Sequence, residues 1–158
     1  MASKVCVVTG SSSGIGAATA KLYASRGWNV VINYSRDAAP AEAVAAECRA
    51  AGADFGVEVL VCKANVADDA DCVALAAAVQ AKWGRCDVLV NNAGTTKFVH
   101  VRNFDGLDAA DFQRIYSVNV IGAFQMVRAF TPLLQQHPGS AVVNISSIAA
   151  ATGLGSCL

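Results

Sequence analysis

The sequence has no Cys-x-x-Cys pair, although it holds six cysteines. It therefore lacks the spacing of a zinc ribbon or a dithiol redox motif, and a chain of 158 residues builds a core without disulfide staples. The cysteines read as reduced, mostly buried thiols, as expected of a cytoplasmic protein. Neither charge is in excess: twelve Lys and Arg balance twelve Asp and Glu. With no basic run, the composition argues against a nucleic-acid surface. No apolar targeting core precedes the first strand-like run. No apolar run approaches the roughly 20 residues that span a bilayer, so no membrane partner is expected. The two histidines have no companions of metal-ligand type and no metal is expected; His100 reads as a loop residue and His137 as a helix-end residue. Internal repeats and linker-like breaks are missing as well, which predicts a single domain over residues 1–158.

What is present is an apolar content of 54% arranged in alternating strand-like and helix-like segments. Val5–Val8 is a continuous β-branched run, as in a strand buried on both faces. A glycine-rich turn follows, and then a helical pattern to Arg26 with small residues on one face. Val30–Ile32 predicts the second strand and Val57–Cys62 the third. Between them lies a helix with Pro40 in its first turn and Gly52 at its stop. Asp68, Asp69 and Asp71 open a third helix, where carboxylates complement the dipole, and Gly84 closes it. Val88–Val90 predicts a fourth strand and Thr95–Gly106 a loop. Asp108 then caps a long helix with Phe112, Ile115, Tyr116, Asn119, Ala123, Val127, Phe130 and Leu134 on one face, and Pro132 marks a kink or an early end. Ala141–Ile145 predicts a fifth strand, followed by a small-residue tail to Leu158. Strand–helix alternation five strands deep predicts an α/β fold with a doubly wound parallel sheet.

In such sheets ligands bind at the carboxyl ends of the strands. The unusual polar clusters fall there: Gly10–Gly16, Asn33–Arg36, Asn65, Asn91–Gly94 and Ser146–Ser147. The glycine turn runs from a strand straight into a helix start, a natural seat for phosphate, and reads as the grip of a dinucleotide-binding fold. An ordinary βα turn shares the same glycines.

Four segments together resemble the short-chain dehydrogenase/reductase family. Thr9-Gly10-Ser11-Ser12-Ser13-Gly14-Ile15-Gly16 is similar to its TGxxxGIG turn, and Asn91-Asn92-Ala93-Gly94 to its NNAG segment. Asn119 stands at the place of its mid-helix Asn, and Asn144-Ile145-Ser146-Ser147 resembles the strand end that carries its catalytic Ser. The resemblance implies a Rossmann-like fold and an oxidoreductase moving hydride between a nicotinamide cofactor and a carbonyl/alcohol pair. It implies that Gly10, Ser12, Ser13 and Ile15 meet the cofactor, with Gly14 and Gly16 allowing close approach. Asn92, Ala93 and Gly94 would take its adenosine side. Asn65, where the family usually has Asp, and Val66 would lie at the adenine edge. Ser147 would bond the substrate oxygen, and Asn119 would hold a water in the proton relay. Outside the resemblance, Asn119 reads equally as a buried Asn bonded to nearby backbone, Asn65 as a loop residue, and Ser147 as a turn former.

Tyr34-Ser35-Arg36 bears on the cofactor. NAD-binding folds usually place an acid at this strand end for the ribose 2′-OH. Here the acid is absent, and Ser35 and Arg36 suit a 2′-phosphate, so NADP(H) is expected over NAD(H). Asp37 would oppose this if it turned inward, and a solvated Arg36–Asp37 pair is the alternative. The family's general acid/base is the Tyr of a Tyr-x-x-x-Lys motif, which the resemblance places just past Leu158. The 158 residues alone are therefore expected to be inactive, and a truncated, non-catalytic dinucleotide-binding fragment or regulatory module is the alternative function. A methyltransferase on a related sheet would share the glycine turn but give no reason for Asn91–Gly94 or Ser147. A full-length enzyme is expected to be a homo-oligomer.

Overall fold

The computed structural model describes residues 3–100 and 102–153. In chain order it contains β1 (Val5–Val8), α1 (Gly14–Ala24), β2 (Asn29–Tyr34), α2 (Ala38–Ala51), β3 (Val59–Lys63), α3 (Asp69–Trp83), β4 (Val88–Asn91), α4 (Ala109–Tyr116), α5 (Gly122–Leu134), β5 (Ala141–Asn144) and α6 (Ala149–Thr152). The five strands form one parallel sheet in the order β3-β2-β1-β4-β5. The expected doubly wound α/β sheet is therefore present. The chain winds outward from β1 to β3, then returns to β4 on the other side. That reversal opens a crevice above the carboxyl ends of β1 and β4.

The unbroken apolar runs of β1, β2 and β4 are explained by burial on both faces, whereas β5 at the edge of the sheet is exposed along its length. Along β1, Val5 and Val7 pack with α3 and α5 through Leu75, Val79, Met126 and Phe130. Cys6 and Val8 pack on the other face with α1 and α2 through Ala20, Ala24, Ala45 and Cys48. All four β1 residues are fully buried, each Val side chain contributing about 2 kcal/mol. Alanines on α1 let that helix lie close to the sheet. Asp37 and Asp68 cap α2 and α3 by accepting the N–H groups of Ala39 and Ala70 at 3.0 Å. Asp108 and Asp111 form a reciprocal capping box on α4.

Three segments depart from the sequence pattern. The third strand starts at Val59 because the Val57 N–H bonds the Gly52 carbonyl at 3.3 Å, closing the turn after α2. The α5 helix runs two residues past Pro132. The single long helix expected from Asp108 is instead α4, a π turn at Ser117–Ile121, and α5. The Gly122 N–H reaches back to the Ser117 carbonyl, so the turn holds an extra residue and rotates α5 relative to α4. Met126, Phe130, Leu133 and Leu134 are consequently buried, whereas Phe112 and Tyr116 are more than half exposed. The tail beyond residue 153 lies outside the described residues.

Five cysteines are described, and all are free. Burial pushes the Cys48 and Cys72 thiols up to about 11 and Cys86 to about 12. No helix among the described residues is long and apolar enough to cross a membrane.

Candidate active site

The glycine turn is held from two sides. Gly10 has a left-handed φ of 62°, and a Cβ there would lie 2.9 Å from the Ala93 backbone, so only glycine fits. On one side stands Asn92. Its amide donates to the carbonyls of Thr9 at 2.9 Å and Gly10 at 3.2 Å. In return, the buried Thr9 Oγ1 accepts the N–H groups of Asn92 and Ala93, both at 3.0 Å. The Asn92 amide fills the place where a Cβ on Gly16 would sit.

On the other side stands Asn33, 1% exposed at the end of β2. Its Oδ1 accepts the Gly10 N–H at 2.9 Å, and its Nδ2 donates to the Ala64 carbonyl at 3.0 Å. Ser11 completes this side: its Oγ accepts the Asn33 N–H at 2.9 Å and donates to the Val8 carbonyl at 2.7 Å. The sequence marks Asn33 only as part of a polar strand end. Nothing in its spacing shows that it ties the turn to the segment after β3.

Two cavities adjoin over this frame, of about 570 and 710 Å³. The smaller is lined by Gly10, Ser12, Ser13, Gly14, Ser35, Arg36 and Asn65, among others. The larger is lined by Asn91, Asn119, Asn144, Ser146 and Ser147, among others. Ile15, Val66 and Asn92 to Thr95 line both and form the junction. Every candidate residue named from the sequence therefore borders one cavity or the other except Gly16 and Tyr34. Gly16 backs the turn against Asn92. Tyr34 packs instead with the cluster beneath α1 and α2, because its register on β2 turns its ring away from the crevice.

Asp37 is engaged as the cap of α2 and lines neither cavity. Among the described residues Arg36 makes no ion pair. Asn65 is exposed, and its Oδ1 accepts the Ala67 N–H at 3.2 Å. In the larger cavity the Asn119 amide grips the Thr95 backbone twice, accepting from N–H at 2.8 Å and donating to the carbonyl at 2.9 Å. This sets the π turn against the strand end after β4. Ser147 is exposed, and its Oγ accepts the Ala149 N–H at 3.1 Å. Among the described residues its hydroxyl donates to no protein acceptor. Asn91 and Asn144 face each other across β4 and β5, joined by a hydrogen bond that Asn91 Nδ2 donates to Asn144 Oδ1 at 2.9 Å. That bond pins the strand end from which Ser147 projects.

A further group lies outside the sequence reading. Arg114 lines the smaller cavity and donates to Thr95 Oγ1 at 3.0 Å. Asp111 accepts from Lys97 at 2.6 Å and from Arg114 at 3.5 Å. The Lys97 bond leads the contacts that hold the Asp111 carboxyl below its ordinary range.

The residues present fit a nicotinamide dinucleotide. A Cβ built on Gly14 would meet no protein atom within 4 Å, so the front of the turn is open. The smaller cavity has hydroxyls, amides and guanidinium groups along its walls and no carboxylate, as an anionic ligand requires.

A family model described as short chain dehydrogenase matches residues 4–157. A 3-oxoacyl-acyl-carrier-protein reductase of Synechocystis is 35% identical over 153 residues, covering 97% of this chain and 59% of that protein. A crystal structure from Burkholderia xenovorans, described as a short-chain dehydrogenase/reductase, superposes with a TM-score of 0.92 at 43% identity, over 99% of this chain and 64% of that one. A metagenomic short-chain oxidoreductase in complex with NADP superposes with a TM-score of 0.82 at 35% identity, over 93% of this chain and 63% of that one. The chain spans about three fifths of the length of these relatives. With a family model matching residues 4–157, a range that contains the glycine turn, the Asn91–Gly94 segment and all five strands, the chain belongs to the short-chain dehydrogenase family.

Proposed function

We propose that this chain forms the cofactor-holding part of an NAD(P)-dependent oxidoreductase that interconverts a small-molecule carbonyl and its alcohol, with NADP(H) preferred over NAD(H). The observation that carries this reading is the junction of the two cavities. One holds the residues suited to a dinucleotide, the other holds Ser147 and Asn119, and Ile15 and Asn92 to Thr95 line both. The bound cofactor supplies or accepts the hydride.

The chain's own residues do the rest. Gly10, Ser12, Ser13, Gly14 and Ile15 receive the dinucleotide on the first helix turn. Asn65, Val66, Asn92, Ala93 and Gly94 line its adenosine side. Ser147 donates a hydrogen bond from its hydroxyl to the substrate oxygen. Asn119 holds Thr95 in place at the junction and orders water there. Ser35 and Arg36 take the 2′-phosphate, a reading supported by the engagement of Asp37 as a helix cap. The NADP-complexed relative points the same way. Free, buried cysteines fit a reducing cytoplasm. Phe112, Tyr116, Val120 and Phe124, exposed at four-residue spacing, suit a homo-oligomer.

The test is titration with NADPH and NADH, followed by nicotinamide fluorescence, and assay of carbonyl reduction, before and after Ser147→Ala, in an enzyme that carries this chain together with a Tyr-x-x-x-Lys segment. Binding of NADPH about tenfold tighter than NADH is expected for one added charge-assisted contact. Reduction should fall in Ser147→Ala while NADPH affinity is kept. Absence of dinucleotide binding would overturn the reading, and tighter NADH binding would overturn the preference alone.

A further inference from the structure

The smaller cavity is lined by two arginines from separate elements, Arg36 and Arg114, and by no carboxylate. Arg36 follows β2 and lines only the smaller cavity. Arg114 comes from α4 and is tied through Thr95 Oγ1 to a residue that lines both cavities. Among the described residues its one ion-pair partner, Asp111, is shared with Lys97, which makes the shorter contact, 2.6 Å against 3.5 Å. A guanidinium carries five N–H donors. One at Nη1 goes to Thr95 and one at Nη2 to Asp111, so donors remain for a ligand. Gly10, Ser12, Ser13 and Gly14, the turn that would receive the phosphates on the first helix turn, line the same cavity as Arg114.

We infer that Arg114 is a second cationic contact for the cofactor, acting on the diphosphate that NADPH and NADH share rather than on the 2′-phosphate. The inference rests on the dinucleotide reading above. It divides the labour between two arginines: Arg36 discriminates between the cofactors, and Arg114 holds both. The Thr95 bond orients the guanidinium before the ligand arrives, which lowers the ordering cost of binding.

The probes are NADPH, NADH, ADP and adenosine, titrated calorimetrically. Arg114→Met keeps the aliphatic stem on α4 and removes the charge; Arg114→Lys restores the charge without the fork. Arg114→Met is expected to weaken NADPH, NADH and ADP alike, by about tenfold, and to leave adenosine unchanged. The dependence of NADPH affinity on salt should also become shallower. Arg114→Lys should recover most of the loss, and both variants should melt close to the parent protein. Unchanged affinities in Arg114→Met would overturn the inference, as would a loss confined to NADPH or an equal loss for adenosine. Failure of the parent protein to bind any dinucleotide would instead remove the reading beneath it.

Discussion

Thr9 and Asn92 bond each other reciprocally: Thr9 Oγ1 accepts the Asn92 N–H at 3.0 Å, and the Asn92 amide donates to the Thr9 carbonyl at 2.9 Å. This pair joins the ends of β1 and β4, the two strands that flank the point where the strand order reverses. The glycine turn and the Asn91–Gly94 segment are therefore one mechanical unit. Asn92→Ala should lower stability by about 2 kcal/mol, because the Thr9 and Gly10 carbonyls lose their donor. It should also weaken NADPH binding. Urea denaturation and fluorescence titration measure the two effects, and an unchanged denaturation midpoint would refute the clamp.

Asn33 supports the same turn from β2, and its loss should cost more. Asn33→Ala removes the acceptor of the Gly10 N–H and the donor to the Ala64 carbonyl in a fully buried setting. A loss of about 3 kcal/mol is expected. Asn33→Asp keeps the acceptor but not the donor, and it places a charge among the Cys62 and Ala64 carbonyls. It should be no more stable than the Ala variant at neutral pH. Chemical denaturation of both variants decides the point.

At the opposite end of the sheet, Asp87 contributes a pH dependence. Burial disfavours its charge, but the Arg85 guanidinium and the Val5 N–H outweigh burial and hold its carboxyl below the usual range. A depressed folded-state pKa adds stability above the ordinary Asp value of about 4 and loses it as pH falls through the lower folded value. Asp87→Asn should therefore be less stable than the parent at pH 7. The difference should shrink on acidification below about pH 4. Thermal melting of both proteins across that range would show it, and a constant difference would contradict it.

Arg36→Leu tests cofactor preference directly. NADPH affinity should fall by about tenfold or more, as for loss of a charge-assisted hydrogen bond. NADH affinity should be nearly unchanged. Equal loss for both cofactors would mean that Arg36 binds something other than the 2′-phosphate.

The strand order along the chain, the burial of β1 and β2, the acidic start of α3 and the cap at Asp108 were determined by the sequence alone. They depend on local patterns: β-branched runs, carboxylates just before helices, and glycines at their ends. The polar strand ends were legible for a related reason, since a doubly wound sheet brings all carboxyl ends to one edge whatever the loop details. Only the tertiary structure decided the rest. Asn33 became the brace of the glycine turn because parallel pairing of β2 with β3 sets Ala64, 31 residues away, beside its amide. Tyr34 was a candidate for the cofactor cavity, but strand register turned its ring into the layer below α1 and α2. The helix after Asp108 broke into α4 and α5 at a π turn that periodicity could not show. That turn brought Asn119 onto the Thr95 backbone, and α4 set Arg114 against Thr95 Oγ1. These contacts join residues 19 to 31 positions apart, and such pairings exist only once crossovers and registers are set.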